Sequence, residues 1–146
     1  MKRIYAREQY CINCRLCECF CKTAHSVSKD IIKAHKTEKP EPVSRLFVEG
    51  DNMLSFAVNC RHCDKPACVE ACITGAMVKD PETGIVINNS ERCVGCLSCV
   101  LACPYGAVKA GNIAYKCDLC RGEEMPACVK NCPNRALIYI EGGSER

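Results

Sequence analysis

The sequence predicts an α+β fold of short strands and helices built around cysteine-rich loops, and three observations lead there. Seventeen of its 146 residues are cysteine, a density that marks either a disulfide scaffold or a metal protein. Sixteen of them fall into four groups: Cys11, Cys14, Cys17 and Cys21; Cys60, Cys63, Cys68 and Cys72; Cys93, Cys96, Cys99 and Cys103; Cys117, Cys120, Cys128 and Cys132. In every group the last two are four residues apart, the step that stacks side chains on one face of a helical turn. Each of the last three groups is followed by a turn and a short apolar run: Ile73 to Val78, Pro104 to Val108 and Pro133 to Ile138. That repeat supports the grouping independently of the cysteines.

Taken in order, the chain alternates binding loops with weak secondary-structure signals. Group one is followed by a lysine-rich span without cysteine, in which Val27 to Lys36 is predicted as a short helix ended by the loop of Pro40 and Pro42. Arg45 to Val48 and Leu54 to Val58 read as strands around the turn Gly50-Asp51-Asn52. After group two, Gly84 to Asn88 reads as a strand following the turn Asp80-Pro81-Glu82-Thr83. Groups two and four share Pro-Ala-Cys-Val at 66 to 69 and 126 to 129, each with a widened gap before its third cysteine. Ala136 to Ile140 closes the chain as a strand. The pattern is two related halves, each pairing dissimilar groups.

The most specific signal is Cys93-Val-Gly-Cys96-Leu-Ser-Cys99-Val-Leu-Ala-Cys103-Pro104. C-x2-C-x2-C-x3-C-P is a known run in which three thiolates hold one iron-sulfur cluster and the fourth holds another. Three thiolates so close in sequence converge on one cuboidal cluster when the backbone wraps tightly around it. The fourth then lies on a helical turn leading away. Gly95 keeps side-chain bulk off that loop, and Pro104, with its fixed φ, suits an abrupt change of direction. A structural zinc-binding protein is the first alternative. It needs only two C-x2-C pairs per ion and does not account for repeated three-residue-spaced triplets.

Composition narrows the class further. No apolar signal segment precedes Cys11, so the cysteines read as thiolates in a reducing compartment, the cytoplasm. No run reaches the 18 or so apolar residues of a membrane span. Three Phe, five Tyr and no Trp make a poor aromatic core, so metal clusters must supply much of the folding free energy. The formal charge of +3 becomes about −5 if each of four oxidised clusters with its thiolates carries about −2, the wrong sign for nucleic acid. Ten Lys and Arg against six Asp and Glu between Met1 and Gly50 read as a solvated face or a docking patch for an acidic partner. His62 beside Cys63 is read as a loop histidine bonded to backbone or a partner, and His25 and His35 as surface residues. There is no G-x-G-x-x-G, P-loop or G-x-S-x-G, so nothing supports substrate chemistry by the chain itself. A redox sensor is a second alternative, without a recognisable regulatory domain to support it.

From Cys11 to Ile140 the chain resembles the four-cluster ferredoxin subunits that serve larger redox enzymes, those of formate dehydrogenase, dimethyl sulfoxide reductase, hydrogenase and tungsten aldehyde oxidoreductase systems. The opening Cys21-Lys22-Thr23-Ala24-His25-Ser26 with Ser28-Lys29-Asp30 most resembles the small iron-sulfur partner of carbon monoxide dehydrogenase. The resemblance implies a duplicated two-cluster bacterial ferredoxin-like fold within one unit, 1–146. Its inner module would span about 43–110, and its outer module about 1–42 plus 111–141. It further implies four 4Fe-4S clusters: one on Cys11, Cys14, Cys17 and Cys132, and one on Cys117, Cys120, Cys128 and Cys21. A third would lie on Cys60, Cys63, Cys68 and Cys103, and a fourth on Cys93, Cys96, Cys99 and Cys72. The implied role is a non-catalytic electron-transfer subunit between a larger catalytic redox subunit and a second redox protein. The chain departs from the pattern at Lys22 and Ile73, where a trailing Pro is expected, and in the seven residues between Cys120 and Cys128. Cys19 is additional and stays unassigned: a spare buried thiol, a substitute ligand or a redox-responsive thiol.

Overall fold

Each cysteine group folds as a tight loop that runs into a helical turn, as the four-residue step requires. The computed structural model describes residues 1–51 and 53–141. Asn52, placed by the sequence in the turn after Gly50, lies outside the described residues, as do 142–146. The helices that follow the loops are α1 (Leu16–Ala24), α3 (Ala67–Glu70), α4 (Ser98–Ala102) and α5 (Ala127–Lys130). Each carries the third cysteine of its group as a buried residue: Cys17, Cys68, Cys99 and Cys128. The fourth follows on the same helical path, within α1 for Cys21 and at or just beyond the helix end for the others.

Among the described residues the strands form four separate antiparallel pairs. β2 (Phe47–Gly50) pairs with β3 (Ser55–Val58), β4 (Met77–Lys79) with β5 (Val86–Asn88), and β6 (Val108–Lys109) with β7 (Tyr115–Lys116). β1 (Lys2–Ala6) pairs with β8 (Leu137–Glu141), setting Ile4 opposite Tyr139. The turn-plus-strand repeat thus becomes β4, β6 and β8, and the fold is mixed α and β with short elements throughout. β1 carries no turn signal and no clean alternation, and is defined by its distant partner. The helix expected over Val27 to Lys36 is shorter: α2 is Ile31–Lys36, because Asp30 caps it by accepting from Lys33 N at 2.9 Å. Lys29 stands at φ +55°, outside the helical region.

Packing joins distant groups. α1 packs against α5 and α3 against α4, while β5 contacts β7. The larger apolar cluster combines Ile4, Leu46, Val48, Ala57, Leu119 and Leu137 with Cys17, Cys21, Cys60, Cys117 and Cys128. The smaller combines Met77, Val86, Val108 and Ala114 with Cys68 and Cys99. Cysteine is therefore a main component of both cores. Among the described residues, no helix is long and apolar enough to cross a membrane.

Candidate iron-sulfur centres

The four binding loops share one backbone device. The residue before the second cysteine of each group has positive φ: Asn13 (55°), His62 (46°), Gly95 (72°) and Leu119 (59°). Three of these are not glycine, and such residues reach the left-handed region at a cost of roughly 1–2 kcal/mol each. What the bend achieves is visible in its hydrogen bonds. His62 N donates to Cys60 Sγ at 3.3 Å and Leu119 N to Cys117 Sγ at 3.5 Å. Gly95 N–H serves Cys93 in the same way. At Gly95 space also decides, since a Cβ there would lie 2.4 Å from Asn112 O. Further backbone donors reach the last cysteine of a group: Arg45 N to Cys21 at 3.2 Å, Met77 N to Cys72 at 3.3 Å and Ala136 N to Cys132 at 3.2 Å. Amide donors of this kind favour the thiolate over the thiol.

Two cavities are lined by four cysteines each, three from one group and the last from another. Cys11, Cys14, Cys17 and Cys132 line the first, with Ala6, Ala57 and Leu137 as apolar walls. Cys60, Cys63, Cys68 and Cys103 line the second, with Val86, Tyr105 and Lys116 beside them. The other two sets are neighbours electrostatically. Cys99 lies within the field of Cys72, Cys93 and Cys96, and Cys128 within that of Cys117, Cys21, Cys120 and, most weakly, Cys17. Cys14 and Cys96 are the exposed members of these sets.

Burial opposes ionisation wherever the thiols point inward. It pushes Cys17 up to about 12 and Cys68 up to about 11, and raises Cys117 and Cys128 further. Neighbouring sulfurs add to the effect. Thiols so held become thiolates when a metal compensates their charge. Cys21, Cys72 and Cys93 are the exceptions: burial raises them, but hydrogen bonds more than offset it and leave them below the ordinary thiol value.

The polar surroundings correct two expectations from sequence. His25 is not a surface residue; its side chain is 12% exposed and joins Asp118 at 3.0 Å through Nε2, while Nδ1 meets Cys21 O at 2.8 Å. Burial disfavours its charge, yet hydrogen bonds to Asp118 and Cys21 win and raise it to about 9. Asp118, also paired with Arg45 Nη1 at 2.5 Å, is held well below the usual carboxylate range. His35 is half-buried as well, its Nε2 3.2 Å from Cys19 O. His62 is fully buried and accepts from Val86 N at 3.0 Å, the backbone partner expected of it. Desolvation, with Lys116 nearby, lowers it to about 3, so it is neutral. Cys19 is half-buried rather than buried, and lines neither four-cysteine cavity. Its place two residues from both Cys17 and Cys21 on α1 turns it toward another face.

One residue escaped the sequence entirely. Lys116, 4% exposed, directs Nζ to Cys60 Sγ at 2.8 Å, Val86 O at 2.9 Å and Cys117 O at 3.3 Å. A lysine at the end of a two-residue strand gives no signal of such burial.

These residues fit iron-sulfur clusters: four cysteines line each of the two cavities, and backbone amides donate to Cys21, Cys60, Cys72, Cys117 and Cys132, the normal supports of cluster thiolates.

Cysteine-ringed cavities, inward thiols and amide-to-sulfur bonds together define a protein of the 4Fe-4S kind. Residues 52–141 match the 4Fe-4S dicluster domain, and the chain belongs to that family. It is 37% identical over 158 residues to the electron transport protein HydN of Escherichia coli (strain K12), covering 94% of this chain and 87% of HydN. It is 33% identical over 158 residues to an iron-sulfur protein of Rhodospirillum rubrum, covering 94% of this chain and 81% of that one. The chain also matches AegA of E. coli, of which it spans only 21%. A solved likeness lies in the active site complex BamBC of benzoyl coenzyme A reductase with benzoyl-CoA. There the TM-score is 0.50 and the identity 25%, over 96% of this chain and 79% of that chain. The chain is thus an iron-sulfur protein of the electron-transfer class.

Proposed function

We propose that this chain is a relay subunit that passes single electrons through four 4Fe-4S clusters, between a larger catalytic redox subunit and a second redox protein. The observation that carries the reading is the cavity closed by Cys11, Cys14, Cys17 and Cys132, in which the first and last cysteine groups of the chain meet. The cavity of Cys60, Cys63, Cys68 and Cys103 repeats that crossing between the middle groups. The remaining clusters are assigned to Cys93, Cys96, Cys99 and Cys72, and to Cys117, Cys120, Cys128 and Cys21. Pairing of β1 with β8 and of α1 with α5 supports an outer module of about 1–42 plus 111–141. Packing of α3 on α4 supports an inner module of about 43–110.

Bound clusters supply one-electron chemistry, and ligation by four thiolates leaves no iron open to substrate. The chain's own residues hold the thiolates, donate amides to their sulfurs and shield them with Ala57, Val86 and Leu137. The catalytic partner is proposed to be of the carbon monoxide dehydrogenase, aldehyde oxidoreductase, hydrogenase or formate dehydrogenase type. The setting in a reductase active site complex of the solved likeness agrees with a partner of that general kind. The test is coulometric reduction of anaerobically purified protein. About four electrons per chain, with bleaching of the visible absorbance, is the expected result, since each cluster takes one. Two per chain would replace this account with a two-cluster one.

A further inference from the structure

We infer that Lys116 is the residue that sets the reduction potential of the centre on Cys60, Cys63, Cys68 and Cys103, and so biases the electron step between the two halves of the relay. The inference rests on the four-cluster reading above. Lys116 follows from three observations that nothing about the cysteines required.

The first is its hydrogen bonding. An ammonium has three N–H donors and no acceptor, and all three of its contacts are acceptors: Cys60 Sγ at 2.8 Å, Val86 O at 2.9 Å and Cys117 O at 3.3 Å. No carboxylate is among them. A buried cation requires a compensating charge, and here the sulfur of Cys60 provides it. The second is position. Lys116 lines the cavity of Cys60, Cys63, Cys68 and Cys103, yet its backbone is bonded to Cys117, a member of the other set. Nζ therefore bridges Cys60 Sγ to the Cys117 carbonyl, where the middle and last cysteine groups come together. The third is reach: the same charge also acts on Cys68 and Cys117.

The chemistry follows from sign. One electron added at the Cys60 centre makes that site more negative by one charge, and it comes from the neighbouring centre, which becomes less negative by one. A fixed cation touching Cys60 Sγ favours the reduced form there. Its first contact is with a sulfur of one set and only with a carbonyl of the other, so the bias is toward the Cys60 centre. In this role Lys116 is a positioning and tuning residue; it does not itself carry the electron.

The experiment is a redox titration followed by electron paramagnetic resonance, on wild type, Lys116→Gln, Lys116→Met and Lys116→Arg, with Lys36→Gln on the exposed end of α2 as control. Electron uptake and iron content of the wild type are measured first. If the wild type holds fewer than four clusters, the relay reading fails and this inference falls with it. With four present, the expected result is one midpoint moved to more negative potential in both neutral variants. The other three midpoints, the iron content and the Lys36→Gln variant should stay as in wild type, and Lys116→Arg should keep the wild-type midpoint. Unmoved midpoints in the neutral variants would overturn the assignment. So would loss of iron from them, which would mark Lys116 as a residue of assembly only.

Discussion

Replacing Cys132 with alanine should remove about four of about sixteen irons per chain and make Cys11, Cys14 and Cys17 reactive toward an alkylating reagent under anaerobic native conditions. Cys132 belongs to the last group in sequence, yet it lines the cavity of the first. Its sulfur accepts from Ala136 N at 3.2 Å, a bond that loses its acceptor in the variant. A site with three thiolates and one gap holds its cluster poorly, because ligation by four cysteines is what closes it. Mass spectrometry of the alkylated protein checks the assignment site by site. Labelling of Cys117, Cys120 and Cys128 instead would show that the groups do not cross. Cys19→Ser should leave the iron content unchanged, since Cys19 lines neither four-cysteine cavity.

Removing the clusters from intact protein with a chelator under denaturant-free conditions should cost most of the ordered structure, read as collapse of the far-ultraviolet circular dichroism and of amide protection. The four strand pairs are separate, and an isolated two-stranded hairpin is marginal in water. The helices that follow the loops are α1, of nine residues, and α3 to α5, of four or five, too short to persist alone. Cys17, Cys21, Cys60, Cys117 and Cys128 occupy the larger core itself. Six left-handed non-glycine residues in the binding loops, Asn13, Arg15, His62, Leu97, Leu119 and Cys120, add strain that metal binding must offset. Binding free energy is then folding free energy, as in other small metal domains. An apoprotein with native circular dichroism and an unchanged melting temperature would show that the polypeptide folds without its metals.

The parts legible in the sequence were those fixed by local spacing. The i, i+4 step of each group became a helical turn, and the runs at 77, 108 and 137 became β4, β6 and β8, because each depends on neighbours a few residues away. What stayed hidden depends on contacts far apart in the chain. β1 is a strand because β8 lies beside it. His25 reads locally as a surface residue, and Asp118, ninety-three positions on, holds it inside. Lys116 is buried because Cys60 and Val86 provide acceptors that no local pattern announces. The left-handed bend before the second cysteine was readable only at Gly95; at Asn13, His62 and Leu119 the loop imposes the conformation on residues that do not advertise it.

Iron and acid-labile sulfide per chain, measured on anaerobically purified protein together with its visible spectrum, test the central claim most directly. The proposed four sets of four thiolates predict about sixteen of each and a brown protein. Zinc without sulfide in a colourless protein would contradict the electron-transfer account and return the cysteines to a structural role.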